Sequence, residues 1–514
     1  MMQDDMDETA EKLDSRDADA AHDGFGDRVR SALFWRSGGQ IVTQILSWAS
    51  TLAVIRILNP ADYGLFAMTQ VVLNFMMFLN GYGLISALVQ SESIDSRKLR
   101  QAFGLMILLN GGLAAGQLLV APLAADYYRQ PMVADLLRAQ ALIYLATPFI
   151  SLPEVLMGRS LDFRRPAFVN LIAGIIAAGV AIGGALAGWG VWTLVWAPIA
   201  GFWVKALGYL IATRFFIWPS FDFRGAGSMI AFAISLLGSQ LFFLIQSQAD
   251  VFIGGRVLDP HMLGLYAEAL FLTQIFVSKF IPPLNDVAFP AYSRMQADRS
   301  RVAWSFAKAV RLLMLVACPL YLGMAATAAP LVETLFGQKW LAMAPFVRVL
   351  ALAMPFLALQ VMFPTLCNAM GRPGLSARIA MIGALVMPAA FLVGIRFGAI
   401  GLATAWLVAY PVFALVTAHL AGRLVGLTLP ALARAVAPGF VSAAAMALIV
   451  LGVDHLLPPL AAPVRLALLV AIGGTSFAGL LALVSRETIG ELVALVIRRR
   501  PPEPAPPEDM AQAL

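Results

Sequence analysis

Arg56-Ile57-Leu58-Asn59-Pro60-Ala61-Asp62-Tyr63-Gly64-Leu65-Phe66-Ala67 sits between the first and second long apolar segments of the chain. It returns as Arg256-Val257-Leu258-Asp259-Pro260-His261-Met262-Leu263-Gly264-Leu265-Tyr266-Ala267. The register runs upstream through Gly38/Gly238, Gln40/Gln240, Ile45/Ile245, Ser47/Ser247 and Ala49/Ala249. That makes about eleven identities in thirty aligned positions. Apolar composition yields chance matches of Leu, Ile or Ala, but not of Arg, Pro, Gly and Gln in one register. The pattern is an internal duplication, and a duplication sets the architecture before any single element does.

Later landmarks repeat in the same order. Ala121-Pro122-Leu123 recurs as Ala329-Pro330-Leu331, and Gln130 as Gln338. Pro148-Phe149 recurs as Pro355-Phe356, Met157-Gly158-Arg159 as Met370-Gly371-Arg372, and Gly190 with Leu194 as Gly398 with Leu402.

The copies are built from apolar runs. The chain has 514 residues, 60% hydrophobic and 13% charged, with a mean hydropathy of +0.80. Soluble domains carry about 25% charged residues, so the class is a polytopic membrane protein. About 20 apolar residues cross the hydrocarbon as a helix. Fourteen such segments are expected, near 31–57, 64–90, 100–123, 138–158, 167–187, 190–213, 229–255, 264–290, 308–329, 343–369, 375–395, 398–421, 436–457 and 464–485. With a cytoplasmic N-terminus, 21 Lys and Arg fall in cytoplasmic loops, five more precede or begin the first helix, and eight lie on the other side. That is the positive-inside bias, and it explains the net charge of +6 without nucleic acid.

The expected organisation follows. Residues 1–30 form an acidic, disordered cytoplasmic tail without the apolar core of a cleavable signal. Residues 31–215 form an N-terminal six-helix lobe, 216–228 a cytoplasmic linker, and 229–422 a C-terminal six-helix lobe. Residues 423–485 add two helices outside the repeat, and 486–514 a basic, then Pro-rich, cytoplasmic tail. Six is even, so both copies share one orientation in the membrane. The fold class is an all-α bundle in parallel repeat, an arrangement found in transporters with a substrate site between the repeats.

The Arg-x-Leu-x-Pro-x-Asp-Tyr-Gly stretch, with the Met157-Gly158-Arg159 turn and the helix count, resembles the bacterial polysaccharide flippases. These are the polysaccharide-transport branch of the multidrug/oligosaccharidyl-lipid/polysaccharide (MOP) superfamily, which includes the MATE exporters. The resemblance spans residues 31–485. It implies movement of an undecaprenyl-diphosphate-linked oligosaccharide from the cytoplasmic to the periplasmic leaflet of the inner membrane, for exopolysaccharide or lipopolysaccharide synthesis. It also implies alternating access through a V-shaped cavity, with a polymerase and a chain-length regulator as pathway partners besides membrane lipids. Such a polar head group cannot enter hydrocarbon without replacement of its hydration.

Ionisable residues inside apolar segments are few and so carry information. Lys205 and Lys279 each lie near the middle of a segment. Each is expected either to face the cavity and contact the diphosphate or to pair with a nearby acid. Arg36, Gln40, Thr43, Gln44, Ser47 and Thr51 share one face of the first helix. Ser235, Ser239, Gln246 and Asp250 do so on the seventh, with Gln240 and Ser247 alongside. These stripes are cavity lining or helix–helix glue, with Arg36, Gln40, Gln44 and Gln246 as substrate-binding candidates. Asp250 and Glu268 are candidate coupling residues, pairing with Arg256 as a clamp being the simpler reading. Glu154 is expected to pair with a loop arginine.

The duplicated motif is expected to be structural. Pro60 and Pro260 interrupt the preceding helix, Asn59 or Asp62 caps the next one, and Gly64 and Gly264 permit a tight approach. Arg56 would serve the outer gate or the loop rather than the cargo, and Arg256 is its counterpart in the repeated motif. Cys318 and Cys367 read as buried small hydrophobes. No Gly-rich phosphate loop of the Gly-x-x-x-x-Gly-Lys-Ser/Thr kind occurs, and no cofactor, metal or enzymatic activity is expected. A drug exporter or lipid II flippase of the same superfamily, and a membrane polymerase or glycosyltransferase, are the competing classes.

Overall fold

The computed structural model describes residues 38–39, 42–80, 96–159, 164–213, 217–222 and 227–484. Arg36, Gln40, both expected tails and the Arg486–Arg500 cluster lie outside the described residues. The helices are α1 (Val42–Ile57), α2 (Pro60–Phe78), α3 (Ser96–Tyr128), α4 (Pro131–Gln140), α5 (Leu142–Arg159), α6 (Arg164–Leu186) and α7 (Trp192–Thr213). Then come α8 (Gly227–Val257), α9 (Pro260–Arg294), α10 (Arg299–Ala326), α11 (Ala328–Phe336), α12 (Ala344–Ala369), α13 (Pro373–Gly394), α14 (Gly398–Val425), α15 (Leu429–Leu456) and α16 (Ala462–Val484). Short 3₁₀ turns occupy Gln338–Met343 and Ile395–Phe397. Among the described residues, ten helical runs are long and apolar enough to cross a membrane; one of them, Pro373–Val425, contains both α13 and α14.

Several helices outrun their apolar cores. α3 and α9 span 33 and 35 residues, because polar first or last turns extend past the hydrocarbon. α9 continues through Pro282, Pro283 and Pro290; membrane helices tolerate proline where neighbours re-satisfy the freed carbonyls. The fourth apolar segment is preceded by a separate short helix, α4, because Gln130 is extended (φ −131°) and Pro131 starts a new turn. The turns before α7 and α14 use Gly190 and Gly398 at φ +56° and +74°, where a side chain would be strained.

Contacts divide the chain into two compact units. The first holds residues to Leu58 and Val72–Leu237; the second holds Asn59–Val71 and Gly238–Leu514. The first motif copy thus belongs, by contact, with the second unit. In the first unit, Ala102, Phe103 and Met106 of α3 pack on Leu152 and Val155 of α5. Ala146, Ile150 and Met157 of α5 meet Val169 of α6 and Ala206 and Tyr209 of α7. The second unit buries larger rings: Phe306, Tyr321, Phe336, Trp340, Phe363, Phe391, Trp406 and Phe413. Lipid is as apolar as these side chains, so their assembly gains from close packing and hydrogen bonds rather than from escape from water.

α15 and α16 belong to the second unit. α15 lies along α10, where a Cβ on Gly439 would come within 3.0 Å of the Met314 carbonyl oxygen. Arg465 joins α16 to α15, donating from Nε to Asp454 Oδ1 at 2.6 Å and from a terminal nitrogen to the Asp454 carbonyl at 3.2 Å.

Candidate functional site

The two motif copies touch each other. A Cβ built on Gly64 would lie 1.8 Å from the Pro260 carbonyl oxygen, and one on Gly264 would lie 1.8 Å from that of Pro60. The first turns of α2 and α9 therefore cross backbone to backbone, and each copy supplies the glycine the other needs. Both N-termini are capped. The Asp259 side chain accepts from Met262 N–H at 3.0 Å. In the first copy Asp62 reaches back to accept from Asn59 N–H at 3.0 Å, the return half of a capping box. Tyr63 packs edge-on against the fully buried Trp340, with ring centroids 5.5 Å apart. Arg56 and Arg256 are exposed at the ends of the preceding helices.

Behind this crossing lies a buried polar chain in the second unit. Trp406 Nε1 on α14 donates to the Tyr266 hydroxyl on α9 at 2.9 Å. Tyr266 donates to Asp250 Oδ2 on α8 at 2.7 Å. The Val251 backbone N–H donates to Asp250 Oδ1 at 2.8 Å. One turn back, Gln246 donates to the Tyr410 hydroxyl at 3.2 Å, and Tyr410 stacks on Trp406 with centroids 4.9 Å apart. Gln246, Asp250, Tyr266, Trp406 and Tyr410 are all at most 4% exposed. Tyr266 uses its single proton toward Asp250 and a lone pair toward Trp406, so every contact on the carboxylate is a donor. That arrangement fits an ionised carboxylate, which is costly in an apolar interior unless hydrogen-bonded.

The clamp expectation is corrected for Asp250: its partners are Tyr266 and Val251, not Arg256. The aromatic hydroxyl of Tyr266, six residues beyond the motif proline, reaches the carboxylate, whereas Arg256 is exposed. Gln246 is enclosed among helices of its own unit, with Gly383 leaving space for its amide, and it bridges α8 to Tyr410 on α14. Glu268 is half-buried on α9, within electrostatic reach of Tyr63.

Lys205 and Lys279 part ways. Lys205 Nζ lies 3.9 Å from Glu154 Oε2 and 5.5 Å above the Tyr209 ring. Glu154 thus pairs with an intramembrane lysine, correcting the expectation of a loop arginine; α5 and α7 are packed neighbours, which brings the two side chains together. Lys279 is exposed on α9 beside exposed Ser278. Asp286, seven residues on and also exposed, shares its face two turns away. Gln44 is half-buried on α1, while the side chains of Ser235, Ser239 and Gln240 lie outside the described residues.

Sequence reading missed Tyr266, Trp406, Tyr410 and Asp286. A signal existed for the first three. In the duplicated register their counterparts are Phe66, Pro198 and Phe202, and those of Asp250 and Gln246 are Ser50 and Leu46. Every polar member of the network is a departure of the second copy from the first.

The two motif copies thus cross near a buried polar chain. The chain matches the family model described as "Polysaccharide biosynthesis protein" over residues 53–345, more than half its length, and belongs to that family. It is 25% identical to the succinoglycan biosynthesis transport protein ExoT of Rhizobium meliloti (strain 1021), over 70% of this chain and 73% of that protein. It is 24% identical to the teichuronic acid biosynthesis protein TuaB of Bacillus subtilis (strain 168), over 82% and 88%. The lipopolysaccharide biosynthesis protein WzxC of Escherichia coli (strain K12) matches at 20%, over 74% and 78%.

Among solved structures, the lipid II flippase MurJ in an inward closed conformation superposes with a TM-score of 0.70 at 14% identity, covering 88% of this chain and 99% of MurJ. An inward-facing multidrug resistance MATE family transporter of the MOP superfamily gives 0.56 at 14% identity, covering 76% and 98%. The chain therefore shares the fold of these two solved structures. By family the chain is a polysaccharide biosynthesis protein, and by fold it resembles solved membrane transporters.

Proposed function

We propose that this chain flips undecaprenyl-diphosphate-linked oligosaccharide repeat units from the cytoplasmic to the periplasmic leaflet of the bacterial inner membrane, by alternating access of its two repeats. The reading includes fourteen spanning helices, cytoplasmic termini, and a polymerase and chain-length regulator as pathway partners. The observation that carries it is family membership over residues 53–345, a stretch that contains both motif copies. In this reading the exposed Lys279 face of α9, with Lys205, Arg36, Gln40 and Gln44, meets the anionic and sugar parts of the cargo. A diphosphate suits a compact ammonium such as that of lysine. The Asp250 network and Glu268 respond to the coupling ion.

The test uses vesicles containing the purified chain and a fluorescent lipid-linked oligosaccharide. Accelerated loss of protection of the inner-leaflet label from a membrane-impermeant quencher supports the reading; the rate in protein-free vesicles overturns it. A specific observation, the MurJ likeness, makes lipid II flipping the second reading, and fluorescent lipid II in the same vesicles separates the two. In cells, deletion should abolish polymer and leave lipid-linked repeat units on the cytoplasmic side. A change in polymer length alone would point to a polymerase.

A further inference from the structure

The segment Ile217–Asp222 follows α7 and leads toward α8, and it is not a loose connection. Ser220 N–H donates to the Arg100 carbonyl at 2.9 Å. Arg100 Nε donates to the Trp218 carbonyl at 3.1 Å, and Gln101 Nε2 to the Asp222 carbonyl at 2.7 Å. Arg97 reaches the Asp222 carboxylate at 3.5 Å. Gly104 makes the fit possible, since a Cβ there would lie 2.1 Å from the Ser220 carbonyl oxygen. Ile217 packs against the Ala102, Phe103 and Met106 cluster. An extended strap is thus pinned along the first two turns of α3 by one backbone–backbone bond and by the side chains of Arg97, Arg100 and Gln101.

The strap presents the wrong side chains for water. Trp218 is 71% exposed and Phe221 is 56% exposed. Apolar area left in water costs about 25 cal/mol per Å², and a solvated linker would have no use for an indole and a phenyl ring on a segment fastened to α3 by hydrogen bonds. Beside them stand Arg97, Lys98 and Arg100, all exposed. With Asp222 counted, the local charge is +2. The cluster begins the spanning run Arg97–Tyr128, where polar head groups meet acyl chains. Trp at that depth is stabilised because its ring is amphipathic, and clustered Lys and Arg there attract anionic lipid by about 1 kcal/mol each.

We propose that the Ile217–Asp222 strap and the first turn of α3 form a binding surface for anionic phospholipid. Trp218 and Phe221 enter the interface, and Lys98 and Arg97 hold the head-group phosphate. The surface thereby ties the connection after the first repeat to the membrane. This rests on the cytoplasmic placement of the α3 start in the proposed function. Neither readout below uses the cargo, so failure of flipping leaves it testable.

The experiment takes the full chain in lipid nanodiscs of phosphatidylcholine with one-fifth phosphatidylglycerol. Trp218→Cys carries a nitroxide; Cys318 and Cys367 are buried, and the unsubstituted protein serves as the labelling blank. The nitroxide should be relaxed more by oxygen than by a water-soluble nickel chelate. Native mass spectrometry of the wild type should retain phosphatidylglycerol in preference to phosphatidylcholine. That preference should fall about fivefold in Lys98→Gln and about fivefold again with Arg97→Gln added. High salt should weaken it. A nitroxide relaxed mainly by the nickel chelate, or equal retention of the two lipids by the wild type, overturns the proposal. Should the double variant fail to insert, those two wild-type-background readouts decide it alone.

Discussion

The two copies of the repeat share a motif and differ in what they place behind it. The first copy, with Ser50, Phe66, Pro198 and Phe202 at the corresponding positions, is apolar or neutral. The second carries Asp250, Tyr266, Trp406 and Tyr410, joined by hydrogen bonds of 2.7 and 2.9 Å and a ring stack. Conversely, only the first copy has Tyr63, which rests on Trp340; the second has Leu263, and the register partner of Trp340 is Met132. Duplication supplied two equal frames. Divergence then put the buried carboxylate in one and the aromatic latch in the other. What stayed equal is the part each copy requires of its twin, Pro60 with Gly264 and Pro260 with Gly64.

The largest effects are expected where the copies are still equal. Gly64→Ala and Gly264→Ala each drive a Cβ into a backbone carbonyl, which only separation of α2 from α9 relieves. Overpacking of this kind costs about 1–3 kcal/mol or more. Both variants should lose folded protein on detergent size-exclusion chromatography and unfold at lower temperature. Gly374→Ala, with no atom within 4 Å of the added Cβ, should behave as wild type. Equal behaviour of all three would break the crossing.

Next come the positions where the copies differ in charge. Tyr266→Phe restores the first copy's residue and takes the hydroxyl donor from a buried carboxylate, at about 1.5–3 kcal/mol. Asp250→Ala leaves that hydroxyl without its acceptor, at about 1–3 kcal/mol. The pair Asp250→Ala with Tyr266→Phe should cost less than the sum of the singles, because neither partner is left unsatisfied. Ser50→Ala should be close to neutral. Thermal unfolding of the four variants measures the coupling, and additive losses would mean that Asp250 and Tyr266 do not act together.

Tyr63→Leu makes the first motif like the second. It removes an edge-to-face ring contact worth about 0.5–1.5 kcal/mol beyond its area, and the double change with Trp340→Leu should again be sub-additive. A small stability effect is expected for Lys205→Met. Its partner Glu154 is half exposed and 3.9 Å away, and pairs of that kind are worth about 0–1 kcal/mol. A clear fall in vesicle flipping with an unchanged melting curve would assign Lys205 to the cargo path; unchanged flipping would leave it a helix-pairing residue.

Much of the fold could be read along the chain. Membrane class and the helical segments follow from apolar run length, which hydrocarbon thickness imposes on any sequence; the repeat is read instead from Arg, Pro, Gly and Gln recurring in one register. The capping role of Asp62 and the need for Gly at 64 were also legible, because caps and close approaches demand particular residue types. The site was legible only in part. Asp250 stood out as an acid in an apolar run, but its side-chain partner Tyr266 lies 16 positions away, and Trp406, which donates to Tyr266, lies 156 away. Tyr266 and Trp406 look like ordinary membrane aromatics until α9 and α14 are brought against α8. Glu154 was read with the wrong cation for the same reason.

The sequence by itself determined that the chain is a duplicated membrane bundle and which residues could not be ordinary lipid-facing side chains. These depend on local free energies: the cost of a polar group in hydrocarbon, the stiffness of proline, the missing Cβ of glycine. The tertiary structure alone decided that the motifs interlock, that the second copy's carboxylate is held by an aromatic relay, and that the segment after α7 is strapped to α3. Those depend on which distant segments meet. In an apolar solvent, that is set by surface fit and hydrogen-bond completion, neither of which leaves a periodic trace in the chain.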